Sequence, residues 1–163
     1  MKIRSILVVD DDRTTLSAMN QMLRPLGYVV TFAVDGRDAI DSLNRESVDL
    51  VITDILMSDM DGFELIAALR KNFPDIPVVA ISGGANLGAD TYLMIAKGLG
   101  SAGVLRKPVT REELVLTING IETGSLRAPW HGKPMADWKV VGRGSSHQEA
   151  YPAGNRAIGS IVF

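Results

Sequence analysis

Two groups of carboxylates directly follow short apolar runs, a position from which they could bind a cation or accept a phosphoryl group. Asp54 follows residues 50–53, and an acidic cluster at residues 10–12 follows residues 6–9. Short apolar runs of this kind are typical of strands buried on both faces of a parallel sheet. Because the carboxyl ends of such strands meet at one edge, we expect the two groups to lie together there. Clustered carboxylates would offer hard oxygen ligands to Mg²⁺, which takes one or two of them and keeps several waters.

An alternation of strand-like and helix-like segments must position these carboxylates. Leu16, Met19, Leu23 and Leu26 recur at spacings of 3, 4 and 3, which predicts one apolar helix face that ends at Gly27. Helix-like patterns separate five strand-like runs, at residues 3–9, 29–33, 50–53, 78–81 and 104–106. This repeated alternation predicts a three-layer α/β/α fold around a five-stranded parallel sheet.

Polar residues mark three helix starts. Asp61 with Glu64, and Thr110 with Glu113, match the capping-box pattern, in which two side chains satisfy amides at a helix start. Asp12 is expected to cap the helix that follows it and to have no role in metal binding.

Length and composition bound the class of protein. A chain of 163 residues can hold one domain with a proper core plus some excess, and 46% hydrophobic residues suit a globular protein. The absence of cysteine excludes a disulfide framework and a thiolate zinc site. The sequence has neither an apolar run of membrane-spanning length nor a signal-peptide pattern, so a cytoplasmic protein without membrane contact is expected.

The charge of the chain changes near Gly124. Residues 1–123 hold 12 Lys and Arg against 17 Asp and Glu, a net charge of −5, whereas residues 124–163 hold 5 against 2, a net charge of +3. We therefore predict a domain at 1–123 and a C-terminal extension at 124–163. The extension lacks the apolar periodicity of a helix-turn-helix and the length of an output enzyme, so direct nucleic-acid binding is not expected.

The carboxylates belong to a wider set of motifs at the ends of the predicted strands. These motifs are Asp10-Asp11 after the first strand, Asp54 with Met57 and Asp61-Gly62 after the third, Ser82 after the fourth and Lys107-Pro108 after the fifth. Together they resemble the response-regulator receiver domain of two-component signalling, over about residues 2–123. The resemblance implies the flavodoxin-like strand order 2-1-3-4-5, which the alternation alone does not specify.

The resemblance implies that Asp54 is the phosphoacceptor and that the donor is a phosphohistidine on a sensor histidine kinase or a phosphotransfer protein. An incoming phosphoryl group repels the carboxylates, so a cation must neutralise them, and Mg²⁺ or Mn²⁺ is expected. Asp11 and Asp54 are assigned as direct ligands, with the backbone carbonyl of Leu56 beside them and Asp10 acting through water.

Further residues receive roles from the same resemblance. Lys107 brings a compact positive charge to one phosphoryl oxygen, and Ser82 offers a hydroxyl to another. Ser82 and Val104 occupy the family's switch positions, and Pro108 is a candidate for a cis peptide bond. We expect a phosphoacceptor rather than an enzyme, with at most self-phosphorylation and slow self-dephosphorylation, which signals to a downstream protein of unknown identity.

Some residues depart from the family pattern but leave the acidic pocket intact. Ser58 stands where a proline usually follows the methionine, which predicts a looser loop, and Val109 replaces a common phenylalanine. Val104 replaces an aromatic switch residue, which argues against the family's usual route from the hydroxyl to an aromatic ring. The loop after Ser82 is longer than usual, with glycines at 83, 84 and 88.

Other interpretations stay open on the sequence alone. Taken singly, Ser82 before two glycines suits a turn, and Lys107 suits an exposed surface. A receiver fold could serve as a non-catalytic scaffold or dimerisation module, and a homodimer is left open. A magnesium-dependent hydrolase is disfavoured, because that class needs an aspartate two residues after the nucleophile, where Leu56 stands.

The C-terminal extension carries two apolar groups that need cover. They are Trp130, Trp138, Val140 and Val141, and, at the end of the sequence, Ile158, Ile161, Val162 and Phe163. Exposed, such groups would form an aggregation-prone surface. Strand-like composition at 139–141 and 157–163 predicts a hairpin or an added edge strand. We therefore expect an ordered arm that packs on its own domain or on a neighbouring chain.

Overall fold

The computed structural model describes residues 1–83 and 89–126, with the backbone alone at residues 89 and 90. All of these residues belong to one compact unit, Met1–Pro129. Two sequence predictions fall outside the described residues: the arm beyond residue 126 and the glycine-rich loop at 84–88.

Strands and helices alternate along the described chain. The strands are β1 (Ser5–Val9), β2 (Val29–Ala33), β3 (Leu50–Asp54), β4 (Val78–Ser82) and β5 (Gly103–Arg106). The α-helices are α1 (Arg13–Leu23), α2 (Gly36–Arg45), α3 (Gly62–Asn72), α4 (Ala89–Gly98) and α5 (Arg111–Thr123). None of these helices is long and apolar enough to cross a membrane.

The five strands form one parallel sheet in the order β2-β1-β3-β4-β5, which confirms the predicted flavodoxin-like topology. β2 lies on one side of β1 and β3 on the other, so the strand order reverses at β1. Val9 at the end of β1 pairs with Thr53 near the end of β3. Asp10, which follows β1, and Asp54, which ends β3, therefore leave the sheet side by side, at the switch point where α/β proteins place their ligands.

The sheet is buried on both faces. Ile6 and Val8 of β1 join a hydrophobic cluster with α1 and α5, whereas Leu7 and Val9 join another with α2, α3 and α4. Every residue of β3 and β4 is buried. Fully burying one such side chain contributes about 1.5–3 kcal/mol, and a slip of one residue would exchange the two faces. This packing fixes the register of the strands, and with it the positions at which the carboxylates leave the sheet.

The helix caps follow the local sequence. Oδ1 of Asp12 accepts a hydrogen bond from the N–H of Thr14 at 2.9 Å, so Asp12 caps α1 as predicted. Thr110 and Glu113 form the predicted capping box at the start of α5. Asp61 caps α3 by accepting a hydrogen bond from the N–H of Glu64 at 2.9 Å.

The prediction that one helix face continues to Leu26 is wrong. The α-helix ends at Leu23, a 3-10 turn follows over Arg24–Leu26, and Leu26 is 39% exposed. The cause is Pro25, which has no N–H to donate to the carbonyl of Gln21. That carbonyl instead accepts a hydrogen bond from the Arg111 side chain at 3.3 Å.

The first strand begins at Ser5, two residues later than the apolar run suggested. The N–H groups of Arg4 and Ser5 donate to Oδ2 of Asp49, at 2.8 and 2.9 Å. Asp49 lies just before β3, so this carboxylate links the start of β1 to the start of β3, the two strands that lead to the acidic residues.

Candidate functional site

The site lies at the carboxyl-terminal edge of the sheet, where Asp54 ends β3 and is 7% exposed. Asp54 pairs with Ile81 of β4, and the N–H of Ile55 donates to the carbonyl of Ile81 at 3.0 Å. Oδ1 of Asp54 accepts a hydrogen bond from the N–H of Leu56 at 3.2 Å. The strand and the loop behind it thus hold this carboxylate in one orientation.

Lys107 joins Asp54 to Asp10. Its Nζ atom donates to Oδ2 of Asp54 at 2.6 Å and to Oδ2 of Asp10 at 2.8 Å. Burial lowers the pKa of Lys107, but the hydrogen bonds and charges of the two aspartates outweigh it, so the net effect raises the pKa. Burial also raises the pKa of the Asp10 carboxyl, against the opposing hydrogen bonds from Lys107 and Asp12. The lysine therefore stays charged and compensates two carboxylates that are largely removed from water.

The residues of the acidic cluster have different partners. Asp10 is buried, and its Oδ1 accepts a hydrogen bond from the N–H of Asp12 at 2.9 Å. Asp11 is exposed, and its Oδ2 accepts a hydrogen bond from the N–H of Ser58 at 3.1 Å. A proline at position 58 could not donate this bond. Ser58 therefore links its own loop to Asp11 on the opposite side of the site, although the lack of proline at this position predicts a looser loop.

Ser82 and Lys107 are brought to the same edge by the last two strands. Ser82 ends β4 and is fully buried, and its carbonyl accepts a hydrogen bond from the N–H of Lys107 at 3.0 Å. The peptide bond between Lys107 and Pro108 is cis, the isomer for which the sequence made Pro108 a candidate.

Val104 lies further from this edge. It pairs with Ala80 inside the sheet and packs, half-buried, against the cluster on the α2, α3 and α4 side. The same side carries an aromatic contact that the sequence did not predict: Phe63 of α3 and Tyr92 of α4 stack with ring centroids 6.0 Å apart.

Gly62 is a further residue of the site, and only the three-dimensional structure shows why glycine is needed there. Its N–H donates to the carbonyl of Ile55 at 3.0 Å. A Cβ atom at this position would lie 2.6 Å from Cα of Ile55 and would clash with the carbonyl oxygen of Asp54. Only glycine lets α3 start this close to the backbone of Asp54.

The oxygen atoms at this edge suit a hard divalent cation. The carboxylates of Asp10, Asp11 and Asp54 and the carbonyl of Leu56 are the ligand type of Mg²⁺ and Mn²⁺, and not that of softer metals. Within residues 1–83 and 89–126, no three carboxylate or imidazole side chains stand close enough together to hold a metal by themselves. A Mg²⁺ site does not need three, because it takes one or two carboxylates and keeps several waters.

Comparison with known proteins decides the family. The sequence model of the response regulator receiver domain matches residues 6–119. The chain belongs to this family. Receiver domains are the phosphoacceptors of two-component systems, where phosphorylation and Mg²⁺ binding are typical and the partners are histidine kinases or phosphotransfer proteins.

The receiver domain is similar in sequence to parts of longer curated regulators. It is 36% identical over 114 residues to the transcriptional regulatory protein GlrR of Escherichia coli, an alignment that covers 70% of this chain and 25% of GlrR. It is also 36% identical over 97 residues to the response regulator MprA of Mycolicibacterium vanbaalenii, which covers 54% of this chain and 42% of MprA. The chain therefore spans from about a quarter to less than half of the length of these curated relatives.

Solved structures of receiver domains have the same fold. The signal receiver domain of an HD domain-containing protein from Pseudomonas fluorescens matches with a TM-score of 0.68 and 29% identity, over 76% of this chain and 97% of that one. The chemotaxis response regulator CheY4 of Vibrio cholerae matches with a TM-score of 0.65 and 27% identity, over 74% and 99% of the two chains.

Proposed function

We propose that this receiver domain accepts a phosphoryl group on Asp54 from the phosphohistidine of a sensor kinase or phosphotransfer protein. The observation that carries the proposal is the position of Lys107, whose Nζ lies 2.6 Å from Asp54 and 2.8 Å from Asp10. A carboxylate held beside a permanent positive charge, at the open edge of a rigid sheet, is suited to meet an anionic donor.

The proposed transfer is a substitution at phosphorus. A carboxylate oxygen of Asp54 attacks the phosphorus atom, the P–N bond to the donor breaks as the P–O bond forms, and the imidazole leaves with the electron pair of the broken bond. Little is required of the protein beyond positioning and stabilisation of charge. Lys107 stabilises one phosphoryl oxygen, the hydroxyl of Ser82 is assigned to another, and the N–H of Leu56 holds the attacking carboxylate.

The proposed metal ligands are Asp11 and Asp54, with the carbonyl of Leu56 beside them and Asp10 acting through water. When bound, Mg²⁺ or Mn²⁺ would neutralise the phosphoryl oxygens and reduce the repulsion between donor and acceptor. Asp11 is the exposed member of this set, whereas Asp10 and Asp54 are buried. This difference in exposure supports Asp11 as the first residue to meet a cation arriving from solvent.

We further propose that residues 1–123 form the receiver unit and that it signals through contacts with another protein. Support comes from α5, which ends at Thr123 and is followed by Gly124 in the left-handed conformation that closes helices. Val104 is aliphatic, so the proposed signal does not depend on an aromatic ring at that position. The alternative, a receiver fold used as a scaffold, predicts the same fold without phosphoryl uptake.

The test is phosphoryl uptake from acetyl phosphate, a small donor, followed by mass spectrometry of the intact protein. We expect the wild-type chain to gain one phosphoryl group when Mg²⁺ is present and none when it is chelated. Asp54→Asn should abolish the gain, whereas Asp59→Asn, at an exposed carboxylate of the same loop, should leave it unchanged. Equal uptake by Asp54→Asn would refute the assignment, and no uptake by the wild type would favour the scaffold.

A further inference from the structure

We propose that the backbone N–H of Ser58 positions Asp11 and thereby sets the affinity of the site for Mg²⁺, an inference that rests on the proposed metal site. Ser58 lies in the loop between β3 and α3, and Asp11 lies in the loop between β1 and α1. The 3.1 Å bond from the N–H of Ser58 to Oδ2 of Asp11 joins these loops across the edge of the sheet.

The three carboxylates of the site each accept a backbone hydrogen bond, but only one of these bonds is long-range among the described residues. Asp10 accepts from Asp12, and Asp54 accepts from Leu56, each two residues away in sequence. Asp11 accepts from Ser58, 47 residues away. The first two bonds orient a side chain on its own loop, whereas the third also fixes the distance between two loops.

Asp11 needs this support more than its neighbours do. Asp10 and Asp54 are buried and share the ammonium group of Lys107, so their orientations are already fixed. Asp11 is exposed, so without another contact its side chain would sample rotamers that point into solvent. The bond to Ser58 opposes that rotation at Oδ2. Within the described parts of the chain, Oδ1 of Asp11 accepts no hydrogen bond and stays available to a cation.

A ligand that is oriented before the metal arrives loses less freedom on binding. Groups that hold a metal ligand from outside the coordination shell typically change metal affinity by about 10- to 100-fold when they are removed. Here the group is a backbone amide, so the serine hydroxyl is dispensable and proline is the residue that abolishes the contact. The absence of proline at position 58 is therefore a feature of this metal site, and its consequence is tighter binding of Mg²⁺.

The test compares Ser58→Pro with Ser58→Ala by titration calorimetry with Mg²⁺ alone, without a phosphodonor. Ser58→Pro should weaken binding by about tenfold, and Ser58→Ala, which keeps the N–H, should bind like the wild type. Equal affinity in Ser58→Pro and the wild type would overturn the inference. A loss in Ser58→Ala as large as that in Ser58→Pro would overturn it too, because the hydroxyl would then be responsible.

A second measurement covers the case in which Ser58→Pro fails to fold. Amide hydrogen exchange of the wild-type protein, measured by NMR without metal, should show a Ser58 amide that is slower than in an unfolded peptide. Asp11→Ala should remove that protection, and exchange of Ser58 at the unprotected rate in the wild type would overturn the inference. Failure of the wild type to bind Mg²⁺ at all would instead refute the proposed function, so the two failures are distinguishable.

Discussion

The Nζ atom of Lys107 lies 2.6 Å from Oδ2 of Asp54, so a residue just beyond the fifth strand supplies the charge that faces the last residue of the third. The lysine side chain is 26% exposed, whereas that of Asp54 is 9% exposed. The ammonium group therefore pairs with an almost buried carboxylate on a side chain that remains within reach of an incoming anion. The alignment of β3, β4 and β5 in one sheet makes this distance a property of the fold.

Removing the charge of Lys107 should slow phosphoryl uptake and should also destabilise the fold. In Lys107→Met, the developing charge on the phosphoryl group loses a preorganised donor, and we expect uptake from acetyl phosphate to slow by at least about tenfold. The free energy of unfolding should fall by about 1–2 kcal/mol in the absence of Mg²⁺, because two buried carboxylates lose their partner. Lys97→Met, at an exposed position of α4, is the matched control and should change neither quantity. Wild-type uptake by Lys107→Met would contradict the role given to the lysine.

Asp49 should stabilise the fold at neutral pH, and this stabilisation should be lost in acid. Hydrogen bonds from the N–H groups of Ser5 and Arg4 lower the pKa of its carboxyl below 3.8. Because the pKa of Asp49 is lower in the folded state, its contribution to stability is complete above 3.8, the pKa of the unfolded state. That contribution is lost as the pH falls through the pKa of the folded state. Asp49→Ala should therefore cost about 1–2 kcal/mol at neutral pH, and the difference from wild type should shrink in acid. Urea denaturation across this range measures it.

The control for this prediction is Asp75→Ala. Asp75 is exposed in the turn between α3 and β4, and its replacement should cost little at any pH. A cost for Asp49→Ala that stays constant down to the lowest pH would contradict the argument, because it would then arise from packing and not from the ionised carboxylate.

Much of the fold could be predicted because its signals are local. Asp12 caps α1, and Thr110 with Glu113 caps α5, as the sequence indicated, since a cap depends on residues two or three positions apart. The strand order came from the family resemblance, because alternation alone leaves several orders open. The error at Leu26 is also local: the apolar spacing outweighed Pro25 in the prediction, whereas the missing N–H decides the structure.

The contacts that the sequence could not predict join backbone atoms of distant residues. The amide of Ser58 reaches Asp11 from another loop, and Gly62 packs against the carbonyl of Asp54. Neither contact uses a side chain of Ser58 or Gly62. The residue types show only that the contacts are allowed: position 58 must not be proline, and position 62 must be glycine. Such contacts become visible only when the register of the sheet is known.

Substitution of Gly62 should be far more costly than substitution of Gly83, although both glycines lie near the site. A Cβ atom at position 62 would meet backbone atoms of Asp54 and Ile55, which cannot move without disturbing β3. At position 83, the contacts with described residues would be with the Lys107 side chain alone, at 3.6 and 3.7 Å. We expect Gly62→Ala to lower the free energy of unfolding by about 1–3 kcal/mol, and Gly83→Ala by no more than about 0.5 kcal/mol. Equal costs in chemical denaturation would contradict the packing seen at Gly62.

The lifetime of the phosphorylated form should depend on Leu56. Hydrolysis of the acyl phosphate needs a positioned water, and a polar side chain two residues after the acceptor could hold one. Leu56 is 36% exposed and its side chain offers no hydrogen bond, so we expect slow decay in the wild type. Leu56→Asn or Leu56→Gln should accelerate decay by about fivefold, the equivalent of one hydrogen bond of about 1 kcal/mol in the transition state.

Release of inorganic phosphate from purified phosphoprotein measures the decay of the acyl phosphate proposed at Asp54. Leu116→Asn is the control, because Leu116 is 70% exposed on α5 and its replacement changes surface polarity without adding a polar group at position 56. Gly84, the other position predicted to affect the lifetime, lies outside the described residues. If decay is already fast in the wild type and does not respond to either polar residue at position 56, water positioning at this residue does not set the lifetime.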